Sequence, residues 1–293
     1  MASSTATAAA PWRAQFLDHI SKMDQPSFTL TSLHAVNNAS VPRARTCMFR
    51  GLWASLPENP RNPAPRNPAV YTSDCLALTT DARMDKVPEI FASGGATGRG
   101  ISSSGGGGAV EAMFWAAGAG TQWRVRGRAW VLSPSDVEDG NSAGAKAARE
   151  ALAGRMRRTD GAGAGAGAGA AGEKGVGMDG EWSWEREVVG HFGNLSPGMR
   201  GSFKNPPPGS PRVNVPGPGE GLGQKVGDEL LEDEVARRNF RVVVVVPDEV
   251  DVCDLSDLAD QRRWLYTFVG SETKARKPGG EVIDGWEKVE VWP

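Results

Sequence analysis

Tyrosine, histidine and cysteine are scarce, at two, three and three in 293 residues. His19, His34 and His191 stand far apart, so no spacing groups them into a metal-ligand set, and no G-x-S-x-G turn supplies a nucleophile for a His-based triad. Each is expected to be a surface or locally bonded residue. Cys47, Cys75 and Cys253 are odd in number and include no C-x-x-C pair, which excludes a zinc ribbon and a disulfide framework and fits a reducing compartment. No apolar run approaches the ~18 residues of a membrane span. The start, Met1 to Ala10, lacks a charged segment followed by an apolar one, so no secretory signal is expected and a cytoplasmic location is. With 33 basic against 35 acidic residues the net charge is −2, which argues against a general nucleic-acid or membrane-surface binder.

Apolar residues are also few, at 39%, against roughly 45–50% in globular domains. The deficit is local. Ser93 to Gly108 is Gly/Ser-rich, Gly161 to Ala171 alternates Gly and Ala, and Gly217 to Asp233 is polar. The expected organisation is one domain over residues 11–293, interrupted by a Gly/Ser-rich insertion at 93–109, a Gly/Ala-rich one at 138–180 and a polar linker at 215–233.

Between these stretches the periodicities are regular. Trp12, Phe16, Ile20 and Met23 recur at helical spacing after Pro11, predicting an amphipathic helix with one buried stripe. Strands are expected over 28–33, 41–53, 69–80, 110–116, 121–132, 240–247, 263–269 and 282–292, with a short helix over 83–92. An Ala-rich helix is a candidate over 143–157, and a helix-turn-helix over 182–203. In 121–132, Trp123, Val125, Ala129 and Val131 share one face, and Gln122, Arg124, Arg126 and Arg128 the other, giving one apolar and one cationic wall. Many strands and few helices predict a mainly β chain, an antiparallel barrel or sandwich.

Two segments carry the chemistry. Pro42 to Trp53 places Arg43, Arg45 and Arg50 in an otherwise half-buried strand, and Leu78 to Val87 mixes hydroxyls with Arg83 and Lys86 at a strand-to-helix junction. Cations beside hydroxyls at strand ends suit a phosphate-bearing ligand. Arg45 and Arg50, five apart in a regular strand, point to opposite faces and reach one ligand only if the strand is bulged or a side chain wraps its end. The glycine run from Gly94 lacks the G-K-[ST] ending of a P-loop and reads as a linker.

Arg43 to Arg50, Thr79 to Lys86, Gln122 to Gly127, Asn239 to Pro247, Arg262 to Tyr266 and the closing Trp286 and Trp292-Pro293, in that order, resemble the pyridoxamine 5'-phosphate oxidase-like FMN-binding family, in particular a subfamily with a T-D-x-R-S-x-K motif. The resemblance implies a six-stranded antiparallel split β-barrel with peripheral helices, FMN as cofactor, and a homodimer holding FMN at its interface. It assigns FMN contacts to Arg45, Arg50, Thr79, Thr80, Arg83, Lys86, Gln122 and Arg263. It implies a flavin-dependent oxidoreductase acting on an unidentified small molecule, while a non-catalytic flavin or haem carrier or sensor on the same fold stays open. Three residues depart from the pattern. Met84 stands for the motif's Ser, Cys253 near a flavin-contacting Trp, and Ala259 for a substrate-binding Arg, which argues against vitamin B6 phosphate chemistry.

Overall fold

A computed structural model describes residues 8–37, 39–95, 103–159 and 182–293. The run Gly161 to Ala171 lies outside them.

The chain opens with α1 (Arg13–Ser21) and the hairpin β1 (Ser27–Val36) and β2 (Ala39–Met48). Then come β3 (Tyr71–Ser73), β4 (Leu76–Asp81), α2 (Lys86–Ser93), β5 (Gly105–Ala116), β6 (Thr121–Leu132), α3 (Ala143–Ala153) and β7 (Met156–Arg158). The remainder is α4 (Trp184–Gly193), α5 (Pro197–Gly201), α6 (Glu234–Asn239), β8 (Phe240–Asp254), β9 (Arg262–Phe268), β10 (Glu281–Ile283) and β11 (Trp286–Val291).

The main sheet is antiparallel and runs β10-β11-β9-β8-β6-β5-β1-β2, with β4 also on β8. Backbone bonds from Arg50 N to the Ala77 carbonyl (2.8 Å), Ala77 N to Gly51 (2.9 Å) and Trp53 N to Cys75 (2.9 Å) join the end of β2 to β4. They close six strands, β1-β2-β4-β8-β6-β5, into a barrel. β8 serves two partners on one edge: Phe240 to Val245 pair with β4, and Glu249 to Asp254 pair with β9. The barrel therefore splits where β8 leaves β4, and β9, β11 and β10 extend from the far half.

The five-valine run of β8 is uniformly buried because both its faces are covered. Val243 and Val245 point into the barrel, with Phe16, Phe28, Phe114 and Trp123. Val242, Val244 and Val246 point outward into a second core with Trp53, Leu152, Trp184, Val188 and Phe192. The register slips between Arg126 and Gly127, opposite Pro247. A proline without an N–H is tolerated at such a bulge. A Cβ on Gly127 would collide with the Val246 carbonyl, so glycine is required there.

Helix α1 caps the barrel. Trp12 and Phe16 are fully buried and Ile20 nearly so, matching the helical stripe, and Met23 packs half-buried at its edge. Asp74 fastens this cap: it accepts from Ala10 N at 2.9 Å and from Arg13, and pairs with Arg157 through two bonds at 2.8 and 2.9 Å. Part of the stretch read as insertion is packed. Ala145, Ala148 and Leu152 of α3 are fully buried, because alanine faces let the helix lie close, with Gly144 against the Ser104 carbonyl. Residues 105–109 likewise belong to β5.

Candidate flavin-phosphate site and a second polar cavity

Six of the eight candidate residues fall into three places, and Thr79 and Arg83 belong to none of them. At one end of the barrel stand Arg45, Thr80 and Lys86. Lys86 begins α2, and alternation along β4 turns Thr80 toward the interior while Thr79, half-buried, faces the other way. Lys86 is only 7% exposed. Its ammonium donates to Thr80 Oγ1 at 2.9 Å and touches Met84 Sδ at 3.0 Å. Met84, in the position of the motif's serine, thus offers a soft sulfur where a hydroxyl was expected. No carboxylate pairs with Lys86 among the described residues. Burial pulls its pKa below the ordinary lysine value; Cys47 and the more distant Asp81 and Glu89 carboxylates act against the shift, and the neighbouring Arg45 charge adds to it. A buried ammonium without a counter-ion costs free energy that a bound anion returns.

Arg45 is held rigidly beside it. Its guanidinium donates to Glu89 Oε2 at 2.6 Å, to the Arg43 carbonyl at 2.8 Å and to Ser32 Oγ. Burial works to raise the Glu89 carboxyl, but hydrogen bonds from Ser32, Arg45 and His34 outweigh it and hold it below the ordinary value. Glu89 therefore stays ionised and orients Arg45. The carboxylate is a partner that the sequence reading missed; its signal was an acid one helical turn after Lys86.

Arg83 is spent elsewhere. Its donors go to Asp81 (2.9 and 2.7 Å), Glu220 (2.8 Å) and the carbonyls of Phe203 and Asn205 (3.3 and 2.9 Å). It ties the β4–α2 junction to the segment around residue 220.

Gln122 and Arg263 lie at the opposite end of β8. Thr80 pairs with Arg241, whereas Gln122 and Arg263 both pair with Cys253. Twelve residues separate those positions, about 40 Å of strand path at roughly 3.3 Å per residue. The wall read as cationic is largely neutralised by β8. Arg126 pairs with Glu111 at 2.9 Å and Glu249 at 2.8 Å, and Arg124 and Arg263 share the buried Asp251. Three arginines, Arg124, Arg126 and Arg263, thus face three carboxylates, Glu111, Glu249 and Asp251.

Arg50 takes a third position, on the face opposite Arg45. It lines a cavity of about 730 Å³ between α1, residues 49–59 and α4. His191, expected at the surface or in a local bond, is instead 1% exposed and lies parallel to Trp53, with ring centroids 6.0 Å apart and planes at 4°. His191 stands seven residues after Trp184 and three after Val188, on the buried stripe of α4, and that helical spacing was the signal for its depth. Burial, with Arg50 adding, pushes the His191 pKa down to about 3.

This makes the fold acid-sensitive. The unfolded chain takes up a proton at His191 near pH 6.5 that the folded chain refuses until about 3. The contribution is therefore complete above pH 6.5 and lost as pH falls toward 3, by up to about 1.4 kcal/mol per pH unit. Glu187 on the same helix has the opposite sign: burial holds its carboxyl above the ordinary value, so it favours folding at lower pH. In thermal melts at pH 7 and pH 4, His191→Phe should lose less than the native chain. Equal losses would show that His191 does not carry the acid slope.

Among the described residues no histidine, cysteine or acid cluster could hold a metal, and no helix is long and apolar enough to cross a membrane.

Residues 9–133 match the family described as pyridoxamine 5'-phosphate oxidase, FMN-binding domain. Among solved structures, the chain is similar to a pyridoxamine 5'-phosphate oxidase-related, FMN binding protein from Nostoc punctiforme PCC 73102. That similarity has 17% identity, covers 98% of this chain and 100% of the other, and has a TM-score of 0.53. It is also similar to PhzG from Burkholderia lata 383, solved with tetrahydrophenazine-1-carboxylic acid, at 12% identity, 96% and 89% coverage and a TM-score of 0.41. No curated protein matches the chain.

Proposed function

We propose that this chain, a member of the pyridoxamine 5'-phosphate oxidase FMN-binding domain family over residues 9–133, binds FMN with its phosphate on Lys86 and Thr80. The observation that carries the proposal is the buried Lys86 ammonium without a counter-ion, beside a fixed Arg45. The donor set fits the group. A phosphate offers strong acceptor oxygens to Lys86 and to the Thr80 hydroxyl, while Glu89 keeps Arg45 from swinging away. Met84 withholds one hydroxyl from that set.

The distance along β8 supports a composite site. Gln122 and Arg263 stand too far from Lys86 to serve the same flavin within one chain. A second copy supplies them: the phosphate sits on Lys86 of one subunit and the ring against Gln122 and Arg263 of its partner. Arg263, held by Asp251 through bonds at 3.0 and 2.8 Å, is pre-positioned for that contact.

Bound FMN would supply hydride or single-electron transfer to a small molecule, and the protein positions it and tunes its charge. Purified chain mixed with FMN and desalted should keep about one flavin per subunit and show flavin absorption bands, with a dimer's mass. Colourless protein after that treatment would overturn the proposal.

A further inference from the structure

The cavity between α1, residues 49–59 and α4 is not used by the phosphate site, and its polar groups are unmatched. Arg50 pairs with no carboxylate among the described residues, and none of its side-chain nitrogens donates to a protein acceptor there. Its Nε is buried without a partner, as is His191 Nε2. A natural interior leaves few such atoms, and each calls for an explanation. The space of about 730 Å³ falls within the roughly 300–1,000 Å³ of small-molecule sites. The α1 side of its wall is mostly apolar, with Leu17, Ile20 and Met23 beside Phe49, while Ser55, Asn59 and Asn194 add neutral polar groups on the other side.

We propose that this cavity binds a small organic monocarboxylate, its acid group paired with the Arg50 guanidinium and hydrogen-bonded toward His191, its apolar body on the α1 side. Three features set the class. A guanidinium fork matches a carboxylate through two parallel bonds. Among the described residues only one unpaired cation faces the space: Arg13, the other cation of the wall, is committed to Asp74 at 2.8 Å. Glu58, exposed at the rim, disfavours a second negative charge. A dianion such as a phosphomonoester would therefore leave one charge unmatched in a half-buried setting. His191 stays neutral at physiological pH and offers one donor and one acceptor rather than charge. The occupant is thus recognised without any flavin, and the inference does not rest on the reading of Lys86.

The test is calorimetric titration of the full chain with benzoate and hexanoate, and with benzyl alcohol and phenyl phosphate as the neutral and dianionic counterparts. The expected result is saturable millimolar or tighter binding of at least one carboxylate, weaker binding of phenyl phosphate and none of benzyl alcohol. Arg50→Met should weaken carboxylate binding at least about tenfold, as loss of a charged hydrogen bond does. Arg50→Lys, which keeps the charge but not the fork, should fall between, and guards against a folding artefact. Lys86→Met should bind carboxylate as the native chain does. Chain that takes up no FMN yet binds benzoate would remove the flavin reading alone. Any of three results would overturn the cavity proposal: no saturable binding of either carboxylate, equal affinity in Arg50→Met, or displacement of benzoate by one equivalent of FMN, which would give the space to the flavin.

Discussion

Lys86→Met should melt higher than the native chain when no ligand is present, and should bind FMN far more weakly. Few substitutions move stability and affinity in opposite directions; here both follow from one buried ammonium. Folding must strip water from Lys86 and returns only a threonine hydroxyl and a methionine sulfur. Methionine fills a similar volume without that cost, so the apo form should gain about 1–2 kcal/mol, or about 2–4 °C in Tm. Thr80 keeps a partner through its own hydroxyl, which already lies 3.4 Å from the Asp81 carbonyl. The pH dependence has a definite sign. The folded pKa of Lys86 lies below the unfolded 10.5, so the unfolded chain binds more protons in that window. The native apo chain therefore gains stability as pH rises toward 10.5, and Lys86→Met loses that gain. With FMN present the order should reverse. Losing a charged contact costs roughly ten- to a hundredfold in affinity. A variant less stable than the native chain without ligand would show that Lys86 is already satisfied within the fold.

The composite site makes an equally large prediction by mixing. Lys86→Met breaks the phosphate end of the site, and Arg263→Met combined with Gln122→Leu breaks the ring end. Each homodimer of these variants should bind FMN poorly. Refolded together, half of the dimers should be mixed, and each mixed dimer should carry one intact site and one doubly broken one. Flavin binding should therefore recover to about a quarter of the native number of sites. No recovery would place both groups in one subunit's site, and full binding by the Arg263→Met, Gln122→Leu homodimer before mixing would remove those residues from the flavin. The measurement is flavin retained after desalting, counted per subunit.

The legible and illegible parts of the fold divide by range. The α1 stripe, the alternation of β6 and the valine run of β8 were readable because each is set by neighbours a few residues away. Barrel closure between residues 50–53 and 75–77 was not, since it rests on backbone bonds that carry no side-chain signature. The arginines of β6 read as a cationic wall because the acids that answer them, Glu249 and Asp251, lie more than a hundred residues later in the chain. Arg83 read as a ligand-binding cation for the same reason: Glu220 sits in a stretch whose composition suggested only a linker. Helix α3 was read as part of an insertion because alanine is a poor marker of burial, yet small side chains are what allow its close approach. In the site, residue types and order pointed to Arg45, Thr80 and Lys86 together. Period-two geometry had already set Arg45 and Arg50 on opposite faces, and the structure shows them apart.

The central claim is that Lys86 is an anion receptor waiting for the FMN phosphate. Its most direct test is equilibrium titration of the native chain with FMN and, separately, with riboflavin, which shares the ring but lacks the phosphate, read by flavin fluorescence. The account predicts that FMN binds at least about tenfold more tightly than riboflavin, and that Lys86→Met brings the two affinities together. Equal affinities in the native chain, or a preference for FMN that survives Lys86→Met unchanged, would contradict it.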